Sequence, residues 1–346
     1  MESVKKMKIL LTGGTGYIGA HTVVELQQSG FEVVIADNLS NSFADVLDAI
    51  EFITHIRPVF EQMDLTFADQ TKTLFQRHRD IVGVIHFAAF KAVGESTQLP
   101  LKYYHNNLFS LVNLLNSMKE FGINKLVFSS SCTVYGQPDS LPVDENAPLQ
   151  KALSPYGTTK QIAEQIIWDT IQTSNLNAVS LRYFNPIGAH ESARIGELPI
   201  GVPNCLVPYI TQTAIGKRPY LNIFGNDYNT PDGTCIRDYI HVVDLAKAHL
   251  SALSLMLDKN NAKNYEVFNL GTGHGYSVLE VVNSFERVSG VKLNYKIADR
   301  RPGDVEQIWA STSLANKILG WKAEKNLDDM MLSAWNWEKK LAEKIN

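Results

Sequence analysis

Cysteine is scarce: Cys132, Cys205 and Cys235 are the only three in 346 residues, with no CxxC pair and no Cys/His spacing of the zinc type. That excludes a disulfide framework and a structural metal site, and it suits a reducing cytoplasm. Long apolar runs are missing as well. Ile9 to Leu11 stops at glycines, too short for the apolar region of a secretion signal, and no other segment approaches the length of a membrane span. Nor is there an excess of one charge. Thirty-two Lys and Arg against 36 Asp and Glu leave −4 at pH 7, no field to collect nucleic acid or anionic lipid, so an anionic ligand needs local cations. Repeats and low-complexity tracts are absent, and 45% hydrophobic with 20% charged residues excludes a disordered or collagen-like chain. The length exceeds what one hydrophobic core usually serves, which implies about two domains.

What is present is a β-then-α alternation. Lys8–Thr12 reads as a buried strand, followed by glycines and a helical pattern to about Ser29 that closes on Gly30. Strands follow at Glu32–Ala36, Val59–Met63, Val82–Phe87, Lys125–Ser130 and Ala178–Phe184, with helices ending near Arg79, spanning Pro100–Phe121, and running from near Tyr156 to about Asn175. This is the pattern of an α/β fold with a Rossmann-like, doubly wound parallel sheet. Beyond Pro186 prolines and glycines thicken, which implies a smaller, loop-rich, ligand-covering domain. The expected division is 1–185, with a returning segment near 236–265, and 186–346. Helices are expected at Cys205–Gly216, Val278–Gly290 and from Leu327 onward, with Asp244–Leu257 assigned to the return.

Gly13, Gly16 and Gly19 lie between a strand and a helix, where they let the backbone approach a pyrophosphate and offer it the unpaired N–H groups of a helix start. Asp37 ends the second strand, 18 residues beyond Gly19, where a carboxylate accepts both hydroxyls of an adenine ribose and repels a 2′-phosphate. That combination points to NAD rather than NADP. Asp64 and His86-Phe87-Ala88-Ala89 fall at the carboxyl edge where open α/β sheets bind ligands, although His86, inside an apolar run, reads as a packed core residue. Tyr156 and Lys160 are four apart in a helix introduced by Ser154-Pro155, so they share a face, and Ser131 ends the fifth strand. A phenol of ordinary pKa about 10 is a poor base at neutral pH. A lysine ammonium and a positive nicotinamide ring both favour its phenolate, which would make Tyr156 a proton acceptor with Ser131 orienting the same substrate hydroxyl.

GGTGYIG, DNLSNS, HFAAFKAVGES, SSSCTVYG, SPYGTTK, RYFNPIGAH, GVPNCLVPYI, IFGNDYNTPDGTCIRDYIHVVDLA and RRPGDVEQIWA together resemble the extended short-chain dehydrogenase/reductases, and specifically the UDP-glucose 4-epimerases. The glycine motif and YxxxK specify only the superfamily; the segments after residue 180 carry the epimerase likeness. The resemblance implies that Tyr156 takes the proton of the sugar 4-hydroxyl while hydride leaves C4 for NAD⁺. The resulting 4-keto sugar turns over and receives the same hydride on its other face, interconverting UDP-glucose and UDP-galactose. It assigns Lys160 to the nicotinamide ribose and to activation of the tyrosine. It lines the cofactor with Tyr17, Ile18, Asp37, Asn38, Asn41, Ser42, Asp64, Leu65, Phe87, Ala88, Ala89, Lys91, Asn106 and Phe184. For the substrate it implies Arg237 and Arg301 against the two phosphates, Asp304 on the uridine ribose, Asn185 on hexose or phosphate and Phe224 near uracil, with Lys91, Ser131, Asn204, Cys205, Leu206 and Ile308 completing the set. No metal is implied, and a homodimer through helices around 100–121 and 156–175 is the family expectation.

Two positions depart from the family pattern. Cys205 replaces a second asparagine after Asn204, and Ile308 replaces the tyrosine found in enzymes confined to plain hexoses. Both remove a polar or aromatic wall, so UDP-N-acetylglucosamine and UDP-N-acetylgalactosamine are expected as further substrates, with simple repacking as the alternative. A nucleotide-sugar 4,6-dehydratase shares fold and cofactor but needs an acid–base pair after the serine, where this chain has Cys132 and Thr133. A non-catalytic NAD(P)-sensing relative would be expected to lack the tyrosine or lysine. Without the resemblance, Arg237-Asp238 also reads as a surface pair and Arg300-Arg301 as a solvated turn.

Overall fold

The structure, a computed structural model, describes residues 6–258, 263–301 and 304–345, with side chains up to residue 343. Pro302 and Gly303 of the RRPGDVEQIWA segment lie outside the described residues. In chain order the strands are β1 (Lys8–Thr12), β2 (Glu32–Asp37), β3 (Val59–Gln62), β4 (Ile81–His86), β5 (Lys125–Ser131), β6 (Asn177–Tyr183), β7 (Asn185–Ile187), β8 (Leu221–Phe224), β9 (Ile236–Arg237), β10 (Tyr239–His241), β11 (Tyr265–Leu270), β12 (Tyr276–Ser277), β13 (Tyr295–Ala298) and β14 (Gln307–Ile308). The helices are α1 (Tyr17–Gln28), α2 (Val46–Thr54), α3 (Ala68–Arg77), α4 (Val93–Gln98), α5 (Pro100–Glu120), α6 (Pro155–Gln172), α7 (Leu206–Ala214), α8 (Val242–Leu257), α9 (Val278–Ser289), α10 (Ser313–Ile318) and α11 (Leu327–Ile345).

Seven strands form one sheet in the order β11-β6-β5-β4-β1-β2-β3, a parallel, Rossmann-like arrangement. The order reverses between β1 and β4, which pair from Lys8↔Ile81 to Thr12↔His86. In such sheets ligands bind outside the carboxyl ends at this reversal. Ile9, Leu10 and Leu11 are wholly buried, as a strand covered by helices on both faces requires. The seventh strand, β11, and the helices α2 and α4 add to the elements expected from sequence. They are short, six to nine residues each, below the length at which a pattern separates from its flanking loops.

The chain forms two compact units. The first comprises Met1–Gly136, Leu149–Arg182 and Ala246–Phe268; the second comprises Gln137–Pro148, Tyr183–Leu245 and Asn269–Asn346. In the first, Leu10, Val34, Val84, Leu126 and Phe128 of the strands pack with Leu111, Leu114, Ile167 and Ile171 of α5 and α6. In the second, Ile210, Val281, Phe285, Met330 and Trp335 join β8 and β10 in a separate core. Three small sheets build that unit: β7 with β10, β8 with β13, and β12-β9-β14. α9 opens on a capping box, Ser277 and Glu280 exchanging side-chain and backbone bonds, and closes on Gly290 in the left-handed region.

Candidate active site

The glycine turn is shaped by steric exclusion. A Cβ on Gly19 would lie 2.2 Å from the Gly13 carbonyl oxygen, and one on Gly13, whose φ is +71°, 2.8 Å from the Ala88 nitrogen. Side chains are therefore excluded on both flanks of the α1 start, where Gly16 is the N-cap and no side chain caps the helix. The uncapped N–H end and the bare backbone fit the pyrophosphate of a dinucleotide. Asp37 ends β2 nearly buried, taking the Thr15 N–H at 3.2 Å and the Leu39 N–H at 2.9 Å, while Thr15 and Ser42 share a hydroxyl bond of 2.7 Å. Asn38 reaches Asp64 at 3.4 Å, and Asp64 in turn accepts both the N–H and the hydroxyl of Thr66. Lys91 extends over the Tyr17 ring, 5.7 Å from its centre. The first unit holds Gly13, Gly16, Tyr17, Ile18, Gly19, Asp37, Asn38, Asn41, Ser42, Asp64, Leu65, Phe87, Ala88, Ala89, Lys91 and Asn106, of which Asp37 ends β2 and Phe87 follows the end of β4. Phe184 belongs to the second unit, buried and bonded through its N–H to the Leu270 carbonyl.

α6 begins at Pro155 with Ser154 as N-cap, its hydroxyl accepting the Gly157 N–H at 3.1 Å. This fixes Tyr156 and Lys160 on one buried face, beside Ser131 at the end of β5. Burial pushes the Tyr156 phenol up to about 12, opposed by a hydrogen bond with Ser131 and by the Lys91 charge. Burial likewise brings the Lys160 ammonium down to about 7, with the Glu164 carboxylate pulling it back up. Lys160 donates to the Ser129 carbonyl at 2.5 Å and lies 5.9 Å from the centre of the Tyr156 ring. Ser131 and Lys91 thus favour the phenolate, while the Lys160 ammonium is held on the strand end within reach of the same ring. His86 is buried, bonded to the Thr12 hydroxyl at 2.7 Å and stacked on Phe128, a core position as its apolar setting suggests.

The second unit holds the remaining residues. Arg237 and Ile308 pair across β9 and β14, and Ile308 is buried. Asp304 receives Arg301 at 2.7 Å and lies 3.9 Å from Arg237, while the Arg301 guanidinium is 5.8 Å from the Phe224 ring. Two arginines therefore converge on one carboxylate, leaving net positive charge suited to phosphate. Asp238 is wholly buried, and this corrects the surface-pair reading of Arg237-Asp238. Its carboxylate takes N–H groups of Thr272, Gly273 and Ala310, and its main chain bonds both Ile308 and Asn185. Arg300 bonds Asp227 and stacks on Tyr228, so only Arg301 of that turn faces the cluster. Asn204 and Cys205 are exposed; Cys205 is the N-cap of α7, with no side-chain cap bond, and Leu206 is the first helical residue.

Sequence reasoning missed three supports. Asn107, beside Asn106, grips both backbone groups of Phe90 and the Thr159 hydroxyl, fastening the HFAAFK loop to α5 and α6. Asp238 has no local signal, because its partners Thr272, Gly273 and Ala310 lie far along the chain. Glu164, one turn beyond Lys160, was detectable as a carboxylate on an otherwise buried helix face.

The family model described as GDP-mannose 4,6 dehydratase matches residues 10–333. The UDP-glucose 4-epimerase of Bacillus subtilis (strain 168) is 51% identical over 333 residues, 96% of this chain and 97% of its own length. Among solved structures, a UDP-glucose-4-epimerase from Stenotrophomonas maltophila with bound NAD and formylated UDP-arabinopyranose is similar with a TM-score of 0.94 and 47% identity, over 98% of this chain and 99% of the other. One from Bifidobacterium longum, in complex with NAD⁺ and UDP, gives a TM-score of 0.92 and 45% identity over 96% and 98%.

Proposed function

We infer, since this chain belongs to the UDP-glucose 4-epimerase family, that it inverts C4 of UDP-hexoses through a transient 4-keto sugar. The observation that carries the reading is the placing of Tyr156 and Lys160 one turn apart on a buried face of α6, with Ser131 at the end of β5 acting on the phenol, in a unit whose glycine turn fits a dinucleotide. NAD⁺ supplies reversible uptake of the C4 hydride. Tyr156 Oη takes the 4-hydroxyl proton and returns it, and Ser131 orients that hydroxyl. Lys160 holds the nicotinamide ribose, and Asp37 the adenine ribose. Arg237 and Arg301 neutralise the diphosphate, Asp304 takes the uridine ribose, Asn185 the hexose or phosphate, and Phe224 packs near uracil. Dehydration lacks its acid–base pair, since Cys132 and Thr133 follow Ser131.

The reading extends to N-acetylated UDP-hexoses, because Ile308 and Cys205 stand where the family pattern has a tyrosine and an asparagine. It also takes the protein to be a cytoplasmic homodimer. Among the described residues no helix is long and apolar enough to cross a membrane, and α5 and α6 expose Leu101, Phe109, Val112 and Trp168. Incubating the purified protein with UDP-galactose, and separately with UDP-N-acetylgalactosamine, without added cofactor, tests the function. The expected products are the C4 epimers; unchanged UDP-galactose in protein that retains NAD would end the proposal.

A further inference from the structure

The last three residues of β5 are serines, and α6 meets each of them differently. Ser131 bonds the Tyr156 phenol, the Ser129 carbonyl holds the Lys160 ammonium, and the Ser130 hydroxyl donates to Glu164 Oε1 at 2.5 Å. Tyr156, Lys160 and Glu164 are spaced by four, so they lie on one face over two turns of the helix. Glu164 is gripped from β6: Arg182 donates through Nε to Oε1 at 3.0 Å and through Nη2 to Oε2 at 2.6 Å. The other arm of Arg182 reaches the Tyr135 hydroxyl at 3.0 Å, and its guanidinium lies 5.0 Å from that ring. Ser130, Glu164, Arg182 and Tyr135 are all buried. Both oxygens of the carboxylate are thus occupied, so neither it nor the strand end it holds has freedom to shift.

We propose that Glu164, clamped by Arg182, is a positioning residue for the reaction: it locks the three serines of β5 against α6 and keeps an anion one turn from the Lys160 ammonium. The proposal rests on the epimerase reading of Tyr156, Ser131 and Lys160. A buried ion pair adds little stability over apolar side chains of the same volume, so stability alone gives it no particular purpose here. Its electrostatic purpose is local. Burial drives Lys160 toward the neutral amine, and Glu164 is the carboxylate that opposes this. The other groups facing Lys160 are Tyr156 on its own helix and His86 on β4, which stays neutral. Arg182 on β6 and Tyr265 on β11 face Glu164 instead, and Lys91 and Cys132 face Tyr156.

The test compares the intact protein with Glu164→Gln, which keeps shape and removes charge, and with Glu164→Leu/Arg182→Met, which replaces the pair by apolar groups. Epimerisation of UDP-galactose is followed between about pH 6 and 10, with melting temperature and bound NAD measured alongside. Both variants are expected to retain NAD and KM, to lose about tenfold in kcat, and to show the alkaline limb moved to lower pH by about one unit. Nitrogen NMR of the lysine side chains, with the Lys160 signal assigned by its loss in Lys160→Met, should show the same downward shift without any turnover. An unshifted Lys160 titration, or a kcat loss that follows melting temperature with the alkaline limb in place, would overturn the proposal. An inactive parent protein would refute the epimerase reading instead, and the Lys160 titration would still decide the role of Glu164.

Discussion

Ile308 stands directly opposite Arg237, the two paired in parallel register between β14 and β9. The residue at 308 is therefore a neighbour of the cation assigned to the diphosphate, and its bulk sets the room beside it. Ile308→Tyr adds an aromatic ring to a buried position. It is expected to lower kcat/KM for UDP-N-acetylgalactosamine by at least about tenfold while plain UDP-galactose changes by less than about threefold. Steady-state kinetics on both sugars decide this; if parent and variant exclude acetylated sugars equally, the wider specificity is wrong.

Removing one oxygen isolates the proton acceptor. Tyr156→Phe keeps the ring and its packing but deletes the group bonded to Ser131. Bound NAD should remain at the parent level while kcat falls by about a thousandfold or more, within the range spanned by general-base catalysis and oriented hydrogen bonding. Turnover near the parent rate would remove Tyr156 from the chemistry.

Asp238 supports the second unit as Glu164 supports the first. Its two oxygens accept the Thr272 N–H and hydroxyl at 2.8 and 2.7 Å, the Gly273 N–H at 3.1 Å and the Ala310 N–H at 3.2 Å. In Asp238→Asn one oxygen becomes an NH2 that faces donors, which leaves buried N–H groups unmatched at about 1–3 kcal/mol. UDP affinity by calorimetry should fall about tenfold, because Asn185, Arg237 and Ile308 are bonded to or adjacent to this residue, while bound NAD is unchanged. Equal UDP affinity in a protein of lowered melting temperature would confine Asp238 to stability.

Much of this architecture was legible because parallel strands buried on both faces read as unbroken apolar runs. KILLT became β1 with the bounds read from sequence, and Pro155 after Ser154 marked the α6 start. The chemistry-bearing residues at strand ends were legible for the same reason, since a strand's last residue fixes which edge it serves. Asp238, Asn107 and Glu164 were not, because their work is to satisfy backbone or buried partners distant in sequence. Nothing in a local pattern reports that Asp238 will face Ala310, 72 positions on. Likewise α2, between β2 and β3, is unmarked at its ends: its stretch carries neither a side-chain cap bond nor a glycine there.

His86 predicts how the fold responds to acid. It is buried against Phe128, and its ring nitrogen is bonded to Thr12. Burial, with the Lys160 charge adding to it, depresses its pKa from 6.5 to about 3. The unfolded chain therefore binds this proton more readily than the folded one throughout that interval. Stability from the neutral ring is fully present above pH 6.5 and declines as pH falls toward about 3, by roughly 1.4 kcal/mol per pH unit. Carboxylates titrate in the same range, but they contribute equally to parent and to His86→Gln, so the difference between the two isolates the histidine. Urea unfolding at about pH 7 and about pH 4.5 should show the parent's advantage over the variant shrinking by on the order of 3 kcal/mol. Parallel losses in the two proteins would mean that His86 takes up its proton inside the fold, and that the ring at the end of β4 is not held neutral.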